Sequence, residues 1–323
     1  MSSLTILTTG GTIAMRADAG GPAQIALGPA DIAAAAPRLA ELATIRTEAV
    51  LSKPSSSFGL ADLATIADAV RTAVDEADGV LVTHGTDTLE ETAFALQLTA
   101  ASETAVVLTG AMRRFDQPGA DGAANLEAAG LVALDPASRG RGVLVVMDDE
   151  IHWAPLVRKV HAFRTHAFAS TPFGPIGWVA EGKVRYALRP DYALPRLVIG
   201  AGRPTVAILE AGPGLEPDLV EALAPHVDAL VIGLPGAGHV AADAVPALAT
   251  LAAAKPVVFA TRTGAGSTLT ASYGYAGSES DLLARGLIGA AALDARKARI
   301  LLMILLSTGA TPGAVREVFA ALP

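Results

Sequence analysis

The 323-residue chain has no cysteine, so neither a disulfide nor a thiolate metal site is available, and the redox compartment stays open. It also lacks an excess of positive charge. The formal net charge is -8, whereas a partner with a phosphate backbone calls for a basic face, so nucleic acid is not an expected partner. Long hydrophobic runs are missing as well: the longest strongly apolar stretch, Ile300 to Leu306, is far short of the roughly 20 residues that span a bilayer and reads as core helix. Met1-Ser2-Ser3 leads straight into a strand pattern, with no basic segment, apolar h-region or small-residue cleavage site, and the expectation is a cytoplasmic protein. The six histidines form no zinc motif, since His161 and His166 lack the i,i+4 helical spacing. No metal or cofactor is implied. Lysine is scarce, five against nineteen arginines, and no tyrosine occurs before Tyr186.

What is present is an alternation of apolar strand-like runs with longer alanine-rich helical patterns. Leu4 to Thr8, Gly79 to Thr83, Ala105 to Leu108 and Gly142 to Met147 read as strands, with a helix such as Leu60 to Glu76 between some of them. This predicts an α/β fold with a wound, mostly parallel sheet. Arg189-Pro190-Asp191 through Gly202-Arg203-Pro204 is rich in punctuation and lacks periodicity. A second βα series follows at Val206 to Leu209, Ala229 to Ile232 and Val257 to Ala260. The expected organisation is a larger N-terminal domain over 1–190, a linker over 191–204 and a smaller parallel-sheet domain over 205–323.

Two strand ends carry the chemistry. Leu4-Thr5-Ile6-Leu7-Thr8-Thr9 breaks at Gly10-Gly11 and delivers the hydroxyl of Thr12, and glycines there let the backbone turn and approach a ligand closely. Gly79 to Thr83 runs into His84-Gly85-Thr86-Asp87-Thr88 and then a helical pattern. Thr88 followed by Glu91 reads as a capping box, which would start that helix and leave Thr86 and Asp87 in the turn above the sheet.

Thr9-Gly10-Gly11-Thr12-Ile13-Ala14 together with His84-Gly85-Thr86-Asp87-Thr88-Leu89-Glu90-Glu91-Thr92-Ala93 resembles the bacterial-type L-asparaginase and glutaminase-asparaginase family. The likeness continues in order through Thr109-Gly110-Ala111-Met112-Arg113, Ala120 to Leu126, Arg141 to Met147, Phe173 to Gly177 and Lys297-Ala298-Arg299. It implies an asparaginase-like fold with a flavodoxin-like C-terminal domain and hydrolysis of L-asparagine to L-aspartate and ammonia without a cofactor. Thr12 is the implied primary nucleophile, through a β-aspartyl ester, and Thr86, Lys159 and Asp87 are the implied supporting catalytic group. Gly11, Ser55, Ser56, Gly85, Asp87, Ala111 and Glu279 are the implied substrate contacts. Asp87 would meet the substrate's α-ammonium, as would Glu279 supplied by a neighbouring subunit. A homotetramer built from tight dimers that share active sites follows from the same resemblance. A base must lie near a threonine hydroxyl for it to attack at neutral pH. Burial would help Lys159 shed its charge and Asp87 would oppose this, and both directions remain open at the level of sequence.

Three departures from the family pattern stand out. The lid region Arg16-Ala17-Asp18-Ala19-Gly20-Gly21-Pro22 lacks the tyrosine that the family carries there, so either another group activates Thr12, with Tyr273 and Tyr275 near Glu279 as the candidates, or acylation is slow. Ser55-Ser56-Ser57-Phe58 stands where the family has Ser-Gln-Asp, and Ala237 stands where an asparagine is common. The expected consequence is asparagine preference with weak action on glutamine. A glutaminase-asparaginase and a catalytically impaired aspartate or asparagine binder are the competing readings. A nucleotide-binding protein is a third, but Gly233 to Gly238 and Thr263 to Ser267 have neither a P-loop lysine nor a dinucleotide fingerprint.

Overall fold

The computed structural model describes residues 1–17, 23–191 and 194–322. Part of the lid region, Asp18 to Pro22, and Tyr192 and Ala193 of the linker lie outside the described residues. Contacts divide the chain into two units, Met1–Asp191 and Tyr192–Pro323. Within residues 194–204 no helix or strand forms.

The strands of the first unit are β1 (Ser2–Thr8), β2 (Met15–Ala17), β3 (Ala23–Ile25), β4 (Ala43–Ala49), β5 (Gly79–Thr83), β6 (Ala105–Thr109), β7 (Val143–Met147), β8 (Glu150–Trp153), β9 (Arg158–Lys159), β10 (Phe168–Ala169), β11 (Gly177–Ala180) and β12 (Lys183–Tyr186). Its helices are α1 (Pro29–Ala34), α2 (Pro37–Leu42), α3 (Leu60–Glu76), α4 (Leu89–Thr99) and α5 (Gly122–Leu134). Among the described residues the large sheet has eight strands in the order β12-β11-β8-β7-β6-β5-β1-β4. β4, β1, β5, β6 and β7 pair in parallel. β7, β8, β11 and β12 pair antiparallel, so the sheet is mixed where a mostly parallel one was expected.

The antiparallel extension has a local cause. Asp148 and Asp149 (φ 52° and 63°) join β7 to β8, and Glu181 and Gly182 (φ 53° and 69°) join β11 to β12. Two central residues with positive φ turn the chain straight back along its own edge, where a parallel connection would need a crossover.

The central strands are buried along their whole length because helices cover both faces. Leu7, Val80, Val82, Val106, Leu108, Val143 and Val145 share one apolar cluster with Ile66 and Val70 of α3 and Leu96 of α4. Helix α5 packs against β5, β6 and β7. The chain leaves β1 toward β4 on one side and reaches β5 on the other, so the order reverses between β1 and β5. The crevice outside the carboxyl ends at such a switch point is where open α/β sheets bind ligands.

The second unit holds a parallel sheet, β13 (Val206–Glu210), β14 (Ala229–Leu234), β15 (Val257–Thr261) and β16 (Ile288–Gly289), in sequence order. Its helices are α6 (Pro217–Leu223), α7 (Val245–Ala254), α8 (Glu279–Ala284), α9 (Ala295–Ser307) and α10 (Pro312–Ala320). The apolar stretch Ile300 to Leu306 lies in α9, with Ile300, Leu301, Leu302, Ile304 and Leu305 buried. Among the described residues no helix is long and apolar enough to cross a membrane.

Candidate active site

The turns after β1 and β5 meet at the switch point, and glycine is what lets them meet. Gly11 has φ 86°, and a Cβ built on it would lie 2.3 Å from the Cα of Gly85 and 2.5 Å from its nitrogen. A Cβ on Gly85 would lie 2.7 Å from Ser55 Oγ. Gly11, Gly85 and Ser55 therefore stack backbone to backbone and side chain. Thr12 opens a short 3-10 turn, Thr12–Ala14, and is half-buried, whereas Ile13 and Ala14 are buried beneath it.

Thr86 is buried and Asp87 is exposed. Lys159 reaches both. Its Nζ donates to Thr86 Oγ1 at 3.0 Å and to Asp87 Oδ1 at 2.8 Å. The lysine side chain is only 15% exposed, so it is not a solvated surface cation. It is held by the short β9–β10 pair, where Lys159 stands opposite Phe168, and its backbone N–H donates to the buried carboxylate of Glu90 in α4. A hydroxyl, an amine within hydrogen-bond reach and a carboxylate orienting that amine form the geometry of an assisted nucleophile or proton relay.

The expected capping box at Thr88 is not formed. Helix α4 does begin at Leu89, but Thr88 makes no side-chain cap; its hydroxyl donates to Ser55 O at 2.9 Å. A tertiary carbonyl outcompetes the local amide, and the hydrogen bond ties the Ser55 loop to the Thr86 turn. Ser55 is buried in that junction and Ser56 is exposed beside it. Phe58 packs edge-on against His84, with ring centroids 5.1 Å apart.

Ala111, also buried, lies in a turn pinned from below. Asp121 accepts from the amides of Met112 (2.9 Å) and Arg113 (2.8 Å), and Asn125 Nδ2 donates to Gly110 O at 3.1 Å. Glu90, Asp121 and Asn125 are scaffold residues to which sequence reasoning gave no role, although all three stand inside the motifs that carry the resemblance. For Glu90 and Asn125 the signal is a carboxylate or amide on the buried face of a helix, and for Asp121 it is a carboxylate just before the first residue of one.

His84 is fully buried. Its Nδ1 lies 2.7 Å from Gly85 O and must carry the hydrogen, because a carbonyl only accepts. Burial disfavours the imidazolium and pulls the pKa from 6.5 down to about 4, with the Gly85 hydrogen bond opposing weakly. The unfolded chain then takes up a proton at this residue before the folded protein does. The stability it contributes is complete above pH 6.5 and is lost as pH falls toward about 4, by up to about 3 kcal/mol. Urea unfolding of a His84→Gln variant is expected to show a shallower loss of stability than the parent between about pH 6.5 and about pH 4. An identical acid limb in both proteins would mean that folding leaves the His84 pKa unshifted.

Glu279 lies in the second unit, at the first position of α8, and is completely buried. Burial raises its pKa, but the amides of Tyr273 and Ser272, with His239, outweigh this and hold the carboxyl below its usual range. Tyr273 and Tyr275 are about half exposed beside it. Tyr186 is engaged elsewhere, with its hydroxyl 2.6 Å from Ser138 Oγ and Arg141 over its ring, and burial pushes its pKa up to about 12. Within the first unit, Thr12, Thr86, Asp87, Lys159, Gly11, Gly85, Ser55, Ser56 and Ala111 thus come from three strand-end turns, the β9–β10 pair and the Ser55 loop. Glu279 belongs to the other unit.

A wound sheet whose switch point carries two glycine–threonine turns, with a lysine bridging one hydroxyl and a carboxylate, fits the class of α/β enzymes that use an assisted hydroxyl. Comparison with known proteins narrows it. Residues 3–192 match the family model for the asparaginase N-terminal region, and residues 205–319 match that for the glutaminase/asparaginase C-terminal domain. The chain is 39% identical to a probable L-asparaginase of Deinococcus radiodurans, over 98% of this chain and 96% of that protein. It is 31% identical to L-asparaginase 2 of Escherichia coli, over 99% and 93% of the two chains. A crystal structure of a probable cytoplasmic L-asparaginase from Campylobacter jejuni superposes with a TM-score of 0.88 at 32% identity, covering 99% of each chain. The chain belongs to the asparaginase family.

Proposed function

We propose that the protein is an L-asparaginase, converting L-asparagine and water to L-aspartate and ammonia. The observation that carries this reading is the pair of hydrogen bonds from Lys159 Nζ to Thr86 Oγ1 (3.0 Å) and Asp87 Oδ1 (2.8 Å), at the switch point beside the Thr12 turn. Thr12 attacks the side-chain amide carbon, its proton leaves with ammonia, and a β-aspartyl ester remains on its oxygen. Water then cleaves the ester, returning a proton to Thr12. Thr86 and Lys159, oriented by Asp87, move the protons in both halves.

Asp87 is exposed enough to meet an α-ammonium while holding Lys159, and a carboxylate is the natural partner for that group. Gly11, Gly85, Ser55, Ser56 and Ala111 form the wall of the site, and Glu279 of the partner subunit completes the ammonium pocket in a homotetramer of paired dimers. Residues 1–190 act as the catalytic domain, joined by 191–204 to a second domain over 205–323. The expected compartment is the cytoplasm.

Ammonia release from L-asparagine, with L-glutamine in parallel, tests the assignment. Ser56 and Ala237 leave fewer contacts than glutamine and asparagine would give, so a longer side chain is held less well in the transition state. The expected kcat/KM for glutamine is lower by at least about tenfold, which is the scale of one methylene in a shaped pocket. Equal efficiency on both amides would make the protein a glutaminase-asparaginase. Aspartate binding without ammonia release would identify the impaired binder instead.

A further inference from the structure

The carboxylate of Glu279 is not free to point anywhere. Oε1 accepts from the amides of Ser272 (2.7 Å) and Tyr273 (2.8 Å), which fixes that oxygen to the loop before α8. Oε2 faces Nε2 of His239 at 3.3 Å without the alignment of a hydrogen bond, and the whole residue is buried. The His239 ring is itself held, with Tyr273 edge-on at 4.8 Å between centroids and Tyr275 at 5.6 Å. The two loops that carry these groups are tied together through their backbones, by Val240 N to Gly277 O (2.8 Å) and Leu269 N to Ala237 O (3.0 Å). Gly238, at φ 116°, lets the first loop close, because a Cβ there would lie 2.7 Å from the Phe259 ring and 3.7 Å from Glu279 Cβ. The neighbouring acid, Asp281, is engaged separately by the Gly277 amide and by Arg285.

We propose that His239 is a positioning residue for substrate binding: its ring, with Nε2 3.3 Å from Oε2 of Glu279, keeps that oxygen in the orientation that receives the substrate's α-ammonium. This rests on the reading of Glu279 as an ammonium ligand. Two amides fix one oxygen, and a carboxylate held at one oxygen alone can still swing the other. His239 removes that freedom. Its side chain is 24% exposed, so it stands between the buried carboxylate and solvent. The histidine stands two residues after Ala237, so the loop that lacks the family's asparagine places an imidazole against the acid.

The test uses the full-length assembled protein with H239F, H239Q, E279Q and the H239F/E279Q double variant, each checked for parent-like thermal unfolding. KM and kcat are measured with L-asparagine, and dissociation constants with L-aspartate and with succinate, which lacks the α-ammonium. H239F is expected to raise KM and weaken aspartate about tenfold, with kcat held within about twofold and succinate affinity unchanged. Glutamine places an amide N–H near the position of Nε2, so H239Q is expected to stay close to the parent. The double variant is expected to match E279Q alone, because both changes remove one interaction. A parent-like KM and a parent-like aspartate dissociation constant in H239F, when E279Q raises both, would overturn the role of His239 and leave the Glu279 reading standing. Unchanged constants in E279Q would overturn the Glu279 reading and the inference with it. Equal losses for aspartate and succinate in H239F would assign His239 a purely structural role and also overturn it.

Discussion

Thr12→Ala is expected to lower kcat for asparagine by at least about 10³-fold while the protein stays folded, and Thr86→Ala and Lys159→Met to lower it by about 10²–10⁴-fold. Removing the Thr12 oxygen removes the atom that would carry the acyl group, so no conservative path remains. Thr86 and Lys159 act together through the 3.0 Å hydrogen bond, and the double variant is therefore expected to be little worse than either single one. Asp87→Asn should fall between, because an amide still accepts from Lys159 Nζ but supplies no charge to the lysine or to an ammonium group. Ammonia release measured beside circular dichroism checks all five. A Lys159→Met enzyme with parent-like kcat would remove the relay from the mechanism, whatever the fate of Thr12.

Gly11→Ala is expected to destabilise the protein more than any other single methyl addition among the turns of the site. Its backbone, at φ 86° and ψ 179°, lies in a region only glycine occupies readily, which costs an alanine about 1–3 kcal/mol. The new Cβ would also sit 2.3 Å from the Gly85 Cα, a backbone atom that cannot turn aside, and overpacking of this kind costs about 1–3 kcal/mol more. The sum, about 2–6 kcal/mol, is a large part of the 5–15 kcal/mol by which a protein is typically stable. Gly174→Ala provides the control in the same unit: φ is 81°, and a Cβ there meets nothing within 4 Å. Urea unfolding should show a clearly larger loss for Gly11 than for Gly174. Equal losses would mean that the two motif turns do not touch.

The central strands were legible to within a residue or two because helices cover both their faces, which forces unbroken apolar runs. Gly79–Thr83 agrees at both ends, and Val143–Met147 differs by one residue. β4 escaped notice for the opposite reason: it lies at the sheet edge, and most of Ala43–Ala49 is exposed or half-buried and carries polar residues. β8, β11 and β12 are four residues each, too short for periodicity to distinguish them from loop. In the site, the glycine turns announced themselves, since backbone contact leaves few other residue types possible. Lys159 did not. Its strand is two residues long, and only register against a family motif brought it forward. The capping box failed at Thr88 because a local motif cannot foresee the Ser55 carbonyl arriving from more than thirty residues away. Glu279 is legible only through the family resemblance, because its burial against Ser272, Tyr273 and His239 depends on loops with no local signature.

The geometry places an amine against Thr86, whereas the proposed acyl carrier is Thr12, so the two threonines must be told apart directly. Acid quenching during turnover of L-asparagine, followed by peptide mass spectrometry, locates the β-aspartyl group. The expected result is an aspartyl adduct on the peptide bearing Thr12, absent in Thr12→Ala. An adduct on Thr86, with turnover retained in Thr12→Ala, would contradict the account and make the Thr86–Lys159–Asp87 group the nucleophilic centre.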